Sequence, residues 1–224
     1  MEGKPLVSIV AGAAVFGLGT FASAGPVYTF LNITNNGNPQ VGSQLSVEVL
    51  DDTDVDVGAG QVGFLFKNAV GTAASVTDVY FDDGTLLGIA SIYSNAGVSF
   101  SQGASPPNLP SGNNIGFVTT AGFLADSDSP ASANGVNAST EWLKIVFNLI
   151  NSKTYADTVA AIDNGADLRI GLHVQAIGQP GGSDSYVNTL TVVPLPAAAW
   201  MGITLLGGTG IVGYLRKRRQ ADLV

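Results

Sequence analysis

The sequence of 224 residues contains no cysteine and few charged side chains. The absence of cysteine excludes disulfides, thiolate metal sites and cysteine nucleophiles. The chain has one histidine, His173, so it cannot form a zinc site with two histidine ligands. Charged residues make up 12% of the chain, against about 25% in an ordinary soluble domain, while hydrophobic residues make up 46%, enough for one folded core. The fold must therefore be held by core packing and strand pairing.

Basic residues are especially scarce between the two ends of the chain. Positions 25–195 contain four basic residues against fifteen acidic ones, a balance of −11. Such a surface repels phosphate backbones and anionic lipid. We therefore expect no nucleic-acid partner, and divalent cations or neutral glycans suit this surface better.

Residues 1–24 have the three parts of a secretory signal peptide. Lys4 lies in a short start, an apolar run that contains glycines follows, and Ala22 and Ala24 place small residues where signal peptidase reads them. This pattern predicts cleavage by signal peptidase before Gly25. The alternative, a buried first helix, is disfavoured because nothing caps the run and glycines interrupt it.

The C-terminal end carries a proline motif, an uncharged stretch and a basic cluster, in that order. The uncharged stretch, 197–215, has the length at which a helix just spans the roughly 30 Å hydrocarbon core of a bilayer. Trp200 lies where an interfacial aromatic residue belongs, and the basic cluster lies where the positive-inside rule places the cytoplasm. The basic cluster consists of Arg216, Lys217, Arg218 and Arg219. The domain before the span is then expected outside the inner membrane.

The proline motif consists of Val193, Pro194, Leu195, Pro196 and Ala197. Its two prolines block a helix and favour an extended segment, which a protease or transpeptidase can bind as a strand. Motif, span and basic cluster together resemble the PEP-CTERM sorting signals in their VPLPA variant. The other interpretation of the same residues is a plain C-terminal membrane anchor.

The resemblance covers residues 193–219 and implies a route for the protein. An exosortase-like transpeptidase of a Gram-negative bacterium would cut near Pro196 and remove the span. The product would leave the inner membrane for the cell surface or the extracellular matrix, where exopolysaccharide and biofilm are found. Leu195 replaces the glutamate of the usual Pro-Glu-Pro motif, and a short tail, 220–224, follows the basic cluster.

Residues 25–192 are predicted to form one all-β domain, a β-sandwich with one short helix. Short apolar runs alternate with a period of two and are separated by Gly, Asn, Asp and Pro. The predicted strands are 27–33, 44–50, 62–68, 75–81, 86–92, 97–100, 115–118, 141–149, 168–177 and 186–193. A capping box from Thr154 to Asp157 predicts the helix, with a long loop as the alternative. The prolines of 101–112 predict an exposed loop.

The densest acidic segment, 51–56, contains the candidate metal ligands. They are spaced as in calcium-binding loops and are Asp52, Asp54 and Asp56. The EF-hand template fails because its sixth place holds Val57 instead of glycine and its twelfth holds Gly63 instead of glutamate. A calcium site of another type and a solvated acidic loop both stay open.

Other candidate residues carry weaker signals. His173 lies in an apolar strand without a nucleophile elbow in the chain, so a structural role is expected. Asp82 and Asp83 predict a turn. The aromatic candidates for stacking on sugar rings are Tyr93, Trp142 and Tyr186, although the alternation of Trp142 with Leu143 favours inward packing.

The sequence favours a non-enzymatic exported protein that associates with exopolysaccharide or with copies of itself. A calcium-dependent carbohydrate-binding or adhesion module is the alternative. A polysaccharide hydrolase with Asp82 and Asp83 as its acid pair is a third and disfavoured reading, because the chain lacks a nucleophile motif. No cofactor other than calcium is expected.

Overall fold

The computed structural model describes residues 25–83, 86–165, 167–178 and 181–192. The predicted signal peptide, with Ala22 and Ala24, lies outside the described residues, as do the predicted sorting motif at 193–197 and the basic cluster at 216–219. Within the described ranges, no helix combines the length and the apolar character that crossing a membrane requires.

The described residues form ten strands and two α-helices, with two short 3₁₀ turns at Gly42–Gln44 and Gly112–Ile115. The strands are β1 (Val27–Asn32), β2 (Leu45–Leu50), β3 (Gln61–Asn68), β4 (Ser75–Asp83), β5 (Leu86–Ser94), β6 (Phe100–Gln102), β7 (Leu124–Ser127), β8 (Trp142–Leu149), β9 (Leu168–Ile177) and β10 (Gly182–Val192). The helices are α1 (Ala131–Asn134) and α2 (Tyr155–Asn164).

All ten strands belong to one antiparallel sheet, in the order β5-β8-β3-β2-β1-β10-β9-β4-β7-β6. The outermost strands, β5 and β6, also contact each other, so the sheet is nearly closed. Rings from distant strands meet inside it: Phe64 of β3 lies 5.0 Å from Phe81 of β4, centre to centre. The prediction of a mostly β structure is confirmed, although two short α-helices form where one was expected. The arrangement of the strands as a sandwich stays a prediction.

Strand alternation separates an inner face from an outer face. In β8, Leu143, Ile145 and Phe147 are buried in the main core, and the intervening positions face the other way because successive side chains of a strand alternate. Trp142 and Lys144 therefore lie on the outer face of the sheet. This face carries the candidate functional residues.

The capping box predicted the start of α2. Thr154 Oγ1 accepts a hydrogen bond from the Asp157 amide at 3.2 Å, and the Asp157 carboxylate accepts one from the Thr154 amide at 2.8 Å. Gly165 ends the helix in the left-handed region with φ of 67°. Ile162 is fully buried, so α2 covers one end of the core.

Most of the predicted exposed loop, 101–112, lies in the segment between β6 and β7, where residues 105–108 are exposed as expected but other parts of the segment are buried. Leu109 and Phe117 are buried and pack with Tyr80 in a second, smaller core on the outer face of the sheet. Gly171 lies directly beneath, where a Cβ would come within 2.6 Å of Leu109 Cδ2. No strand forms at 115–118, because Gly116 takes φ of 64° and ends a 3₁₀ turn. We call residues 103–122 the outer segment.

Candidate functional site

The acidic loop between β2 and β3 closes over a lysine of β8. Lys144 Nζ lies 2.6 Å from Asp54 Oδ1 and 2.7 Å from Asp56 Oδ2. The Lys144 side chain is 7% exposed, and the two aspartates are 23% and 30% exposed. Asp54 Oδ1 also accepts the Asp56 amide at 3.0 Å, which holds the loop in a turn. Two of the three predicted calcium ligands therefore converge, with an ammonium group between them.

The ion pairs set the charges of this loop. Burial acts to raise the pKa of Asp54, but the hydrogen bonds from Lys144 and from the Asp56 amide outweigh it, so that pKa lies below its usual value. Burial acts to lower the pKa of Lys144, but its bonds to Asp54 and Asp56 outweigh it and raise that pKa. Both groups are therefore charged at neutral pH.

The structure does not test the predicted calcium site at Asp52, Asp54 and Asp56, which stays a prediction. Asp52 is exposed at the surface of the loop. In the part of the chain that the structure describes, no three His, Cys, Asp or Glu side chains are grouped to hold a metal ion. A calcium ion bound by Asp54 and Asp56 would have to displace Lys144.

The same lysine borders a groove on the outer face of the sheet. Trp142 and Lys144 of β8 lie opposite Lys67 and Leu65 of β3, respectively. Together with Asp56 they line a groove of about 240 Å³. Lys144 Nζ lies 5.8 Å from the centre of the Trp142 ring, within the range of a cation–π contact. We call these five residues the Trp142 groove.

The structure separates the three aromatic candidates. Tyr186 is fully buried in the main core. Tyr93 is 37% exposed and lies opposite Lys144 in the sheet. The expected inward packing of Trp142 is wrong, because Leu143 takes the inner face and Trp142, its neighbour in the strand, takes the outer one.

A second cluster lies beside the outer segment. Asp126 of β7, Asp78 of β4 and His173 of β9 are opposite one another across three adjacent strands. His173 Nδ1 lies 2.9 Å from Asp78 Oδ2, and Asp78 is 1% exposed. Thr77 Oγ1 donates to the same carboxylate oxygen at 2.9 Å. His173 thus has a buried carboxylate partner on the neighbouring strand β4.

The carboxyl of Asp126 has a raised pKa beside Asp78. Burial, the nearby charge of Asp78 and a hydrogen bond between the two carboxyls raise the pKa of Asp126 to about 6. Two carboxyls can hydrogen-bond only when one of them carries a proton. Oδ1 of Asp78 is buried and accepts no N–H or hydroxyl of a described residue. The raised pKa favours the protonated form of Asp126 in mildly acidic solution, and only that form can donate a hydrogen bond to Asp78.

This cluster lacks the geometry of a nucleophilic site. Ser185 of β10 lies opposite His173, but its Oγ is buried and has no hydrogen-bond partner among the described residues. An activated serine would need a hydrogen bond to the imidazole.

Beside Asp126, a polar groove of about 360 Å³ is lined by serines and by Asp128. Hydrogen bonds from Ser99 and Ser101 lower the pKa of Asp128.

The predicted turn at Asp82 is a strand position. Strand β4 continues to Asp83, and Asp82 forms an ion pair with Arg169, its neighbour in β9. Arg169 also donates to the carbonyl of Ile115 at 2.9 Å. Asp82 therefore helps to fasten the outer segment to the sheet.

Lys144 and Asp78 belong to the two candidate sites but were not among the residues expected there. Each is a charged residue within a run that is otherwise apolar or uncharged, 143–147 for Lys144 and 75–81 for Asp78. A charge in such a run must be paired when it is buried. That signal could have marked both positions, although it does not name their partners.

No protein-family model, no curated protein and no solved structure matches the chain.

Proposed function

We propose that the chain is an exported, non-enzymatic surface or extracellular-matrix protein, released by cleavage at both ends and associated with exopolysaccharide or with copies of itself. The supporting observation is the position of Gly25, the residue that signal peptidase would leave at the N-terminus. Its N–H donates to Glu48 Oε1 at 3.2 Å. Cleavage before Gly25 would turn this amide into an ammonium group beside a carboxylate, which strengthens the contact.

Gly25 is also packed so closely that the residue type matters. A Cβ at this position would lie 1.7 Å from the Val49 carbonyl oxygen. The residue type that fits at this position is therefore glycine. Removal of 1–24 before or during folding would place the new terminal amine of Gly25 beside Glu48.

The proposed sorting motif follows β10 in the sequence. The strand is described as far as Val192, and the motif starts at Val193. It lies between β1 and β9 in the middle of the sheet. Cleavage near Pro196 would therefore release the whole sheet with only a few residues attached.

We assign the nearly closed sheet to the sandwich class. Phe64 of β3 and Phe147 of β8 come from one half of the strand order, Phe81 of β4 comes from the other, and Phe123 directly precedes β7 of that other half. Phe81 lies 4.6 Å and Phe123 lies 5.3 Å from Phe147, centre to centre. Edge-to-face rings from two facing halves are the packing expected of a sandwich core.

A non-enzymatic role has its own support. The hydrogen bond of His173 to the buried Asp78 uses Nδ1, and Ser185 Oγ makes no bond to the ring. General-base activation of a serine is therefore not prepared in this cluster.

Substitution of the two prolines in the sorting motif tests the proposal in the native host. The double variant Pro194→Ala, Pro196→Ala is expected to stay in the membrane fraction with its C-terminal segment attached. A matched control, Pro107→Ala in the outer segment, is expected to be released like the parent. Release of the double variant at the mass of the parent product would overturn the proposed sorting step.

A further inference from the structure

Lys67 differs from the other basic residues of the 25–192 domain. Lys144, Lys153 and Arg169 each form an ion pair with an aspartate. Lys67 is exposed and forms no ion pair with any residue that the structure describes. The only basic group left unpaired in the described part of a strongly acidic domain therefore lies in the Trp142 groove.

The groove combines three kinds of contact within one small surface. Lys67 offers hydrogen-bond donors, Asp56 offers carboxylate acceptors, and the half-buried ring of Trp142 offers an apolar face. Leu65 of β3, which lies opposite Lys144, adds a second apolar side chain to the groove. The volume of the groove, about 240 Å³, is below the roughly 300 Å³ at which pockets for drug-sized ligands begin. A single ring of a longer polymer fits this surface better than a free cofactor.

We propose that the Trp142 groove binds a neutral polysaccharide, with one sugar ring packed on Trp142 and its hydroxyls bonded to Lys67 and Asp56. A pyranose ring has an apolar C–H face and a polar rim, which match the indole ring and the charged groups around it. This binding proposal rests on the proposed function only because export brings the protein to exopolysaccharide. It adds the class of polymer that is bound.

Charge selects a neutral polymer over an acidic one. The balance of −11 between positions 25 and 195 repels a polyanion at long range. The charge of Lys144 is already neutralised by Asp54 and Asp56. Lys67 alone would have to attract an acidic chain against that field, whereas hydroxyl groups carry no charge that the domain repels.

Tryptophan fluorescence reads this site directly. The chain contains two tryptophans, Trp142 and Trp200, so in the full chain carrying Trp200→Phe the emission comes from the groove alone. The purified protein is titrated with dextran, with a soluble β-glucan, with a galactomannan and with polygalacturonate. We expect a saturable change with at least one neutral polymer and none with polygalacturonate. No response to any of the three neutral polymers, or an equal response to polygalacturonate, overturns the proposal.

Matched variants separate the groove from the rest of the surface. Lys67→Met is expected to weaken binding roughly tenfold through the loss of charged hydrogen bonds, while Lys153→Met, outside the groove, is expected to bind like the parent. In affinity electrophoresis, Trp142→Ala should lose retardation by the polymer and Trp142→Phe should keep most of it, with thermal melts of both variants as the check on folding. Unchanged binding in Lys67→Met and Trp142→Ala would contradict the site. Because purified protein is used, these results do not depend on processing in the host.

Discussion

Replacing Lys144 with methionine removes one buried charge and keeps an unbranched side chain of similar length. The ammonium group makes ion pairs of 2.6 and 2.7 Å with Asp54 and Asp56, and the side chain is 7% exposed. Methionine preserves most of the packing against the sheet. The variant therefore reports mainly the loss of the charge, with two aspartates left facing each other.

The expected loss follows from two opposing energies. At an effective dielectric constant of about 20, each ion pair contributes about 6 kcal/mol of attraction, most of which offsets the cost of removing the ammonium group from water. The aspartates are 23% and 30% exposed and can regain some hydration in the variant. We therefore expect a loss of about 2–3 kcal/mol, less than the roughly 3–5 kcal/mol of a fully buried pair. In a domain of this size that lowers the melting temperature by about 5–10 °C.

Thermal melts followed by circular dichroism at pH 7 measure this loss. Lys153→Met is the matched control, because its pair with Asp157 spans 3.9 Å with both side chains more than 40% exposed, 45% and 43%. Its effect should stay below about 0.5 kcal/mol. Adding Asp54→Asn and Asp56→Asn to Lys144→Met should restore part of the stability, since it removes the remaining like charges. Equal melting temperatures for the two lysine variants would show that the buried ion pairs of Lys144 contribute no more to stability than the exposed pair of Lys153.

Proton binding, chain packing and cation binding each give a further thermal test. The pKa of Asp126 in the folded protein, about 6, lies above its usual value of 3.8. The contribution of this carboxyl to the free energy of unfolding is therefore complete below pH 3.8 and is lost as the pH rises through 6. Asp126→Asn should remove about 1 kcal/mol of that loss, allowing for solvent screening, whereas Asp52→Asn at an exposed position of the acidic loop should keep it, and equal slopes in both variants would be inconsistent with a raised pKa at Asp126. Gly25→Ala should lower the melting temperature by several degrees, because its Cβ would lie 1.7 Å from the Val49 carbonyl oxygen, and an unchanged value would mean that the N-terminus is not packed as described. Millimolar calcium should stabilise Lys144→Met but not the parent, and a rise in the parent would show that the ion displaces Lys144.

Strands with a strong apolar signal could be predicted from the sequence to within a residue or two. β3, β8 and β9 carry runs of large apolar residues, and each was expected close to its observed bounds, Gln61–Asn68, Trp142–Leu149 and Leu168–Ile177. The capping box at Thr154 gave the start of α2 for the same local reason. β7 was missed, because Leu124–Ser127 is short and contains one large apolar residue.

The candidate sites depend on pairings that local sequence does not contain. Lys144 meets Asp54 across 90 positions, and His173 meets Asp78 across 95. Both contacts follow from the strand order, which places β8 beside β3 and β9 beside β4. Alternation predicts which face a residue takes but not which strand lies next to it. The acidic loop could therefore be located from the sequence, while its contact with Lys144 could not.

The intact mass of the protein from washed cells and from the culture medium tests the central claim most directly. We expect a product that begins at Gly25 and lacks everything after about Pro196, recovered outside the inner membrane. A product of the inner-membrane fraction that still carries residues 197–224 would contradict the proposed sorting and leave a domain that stays anchored to the membrane.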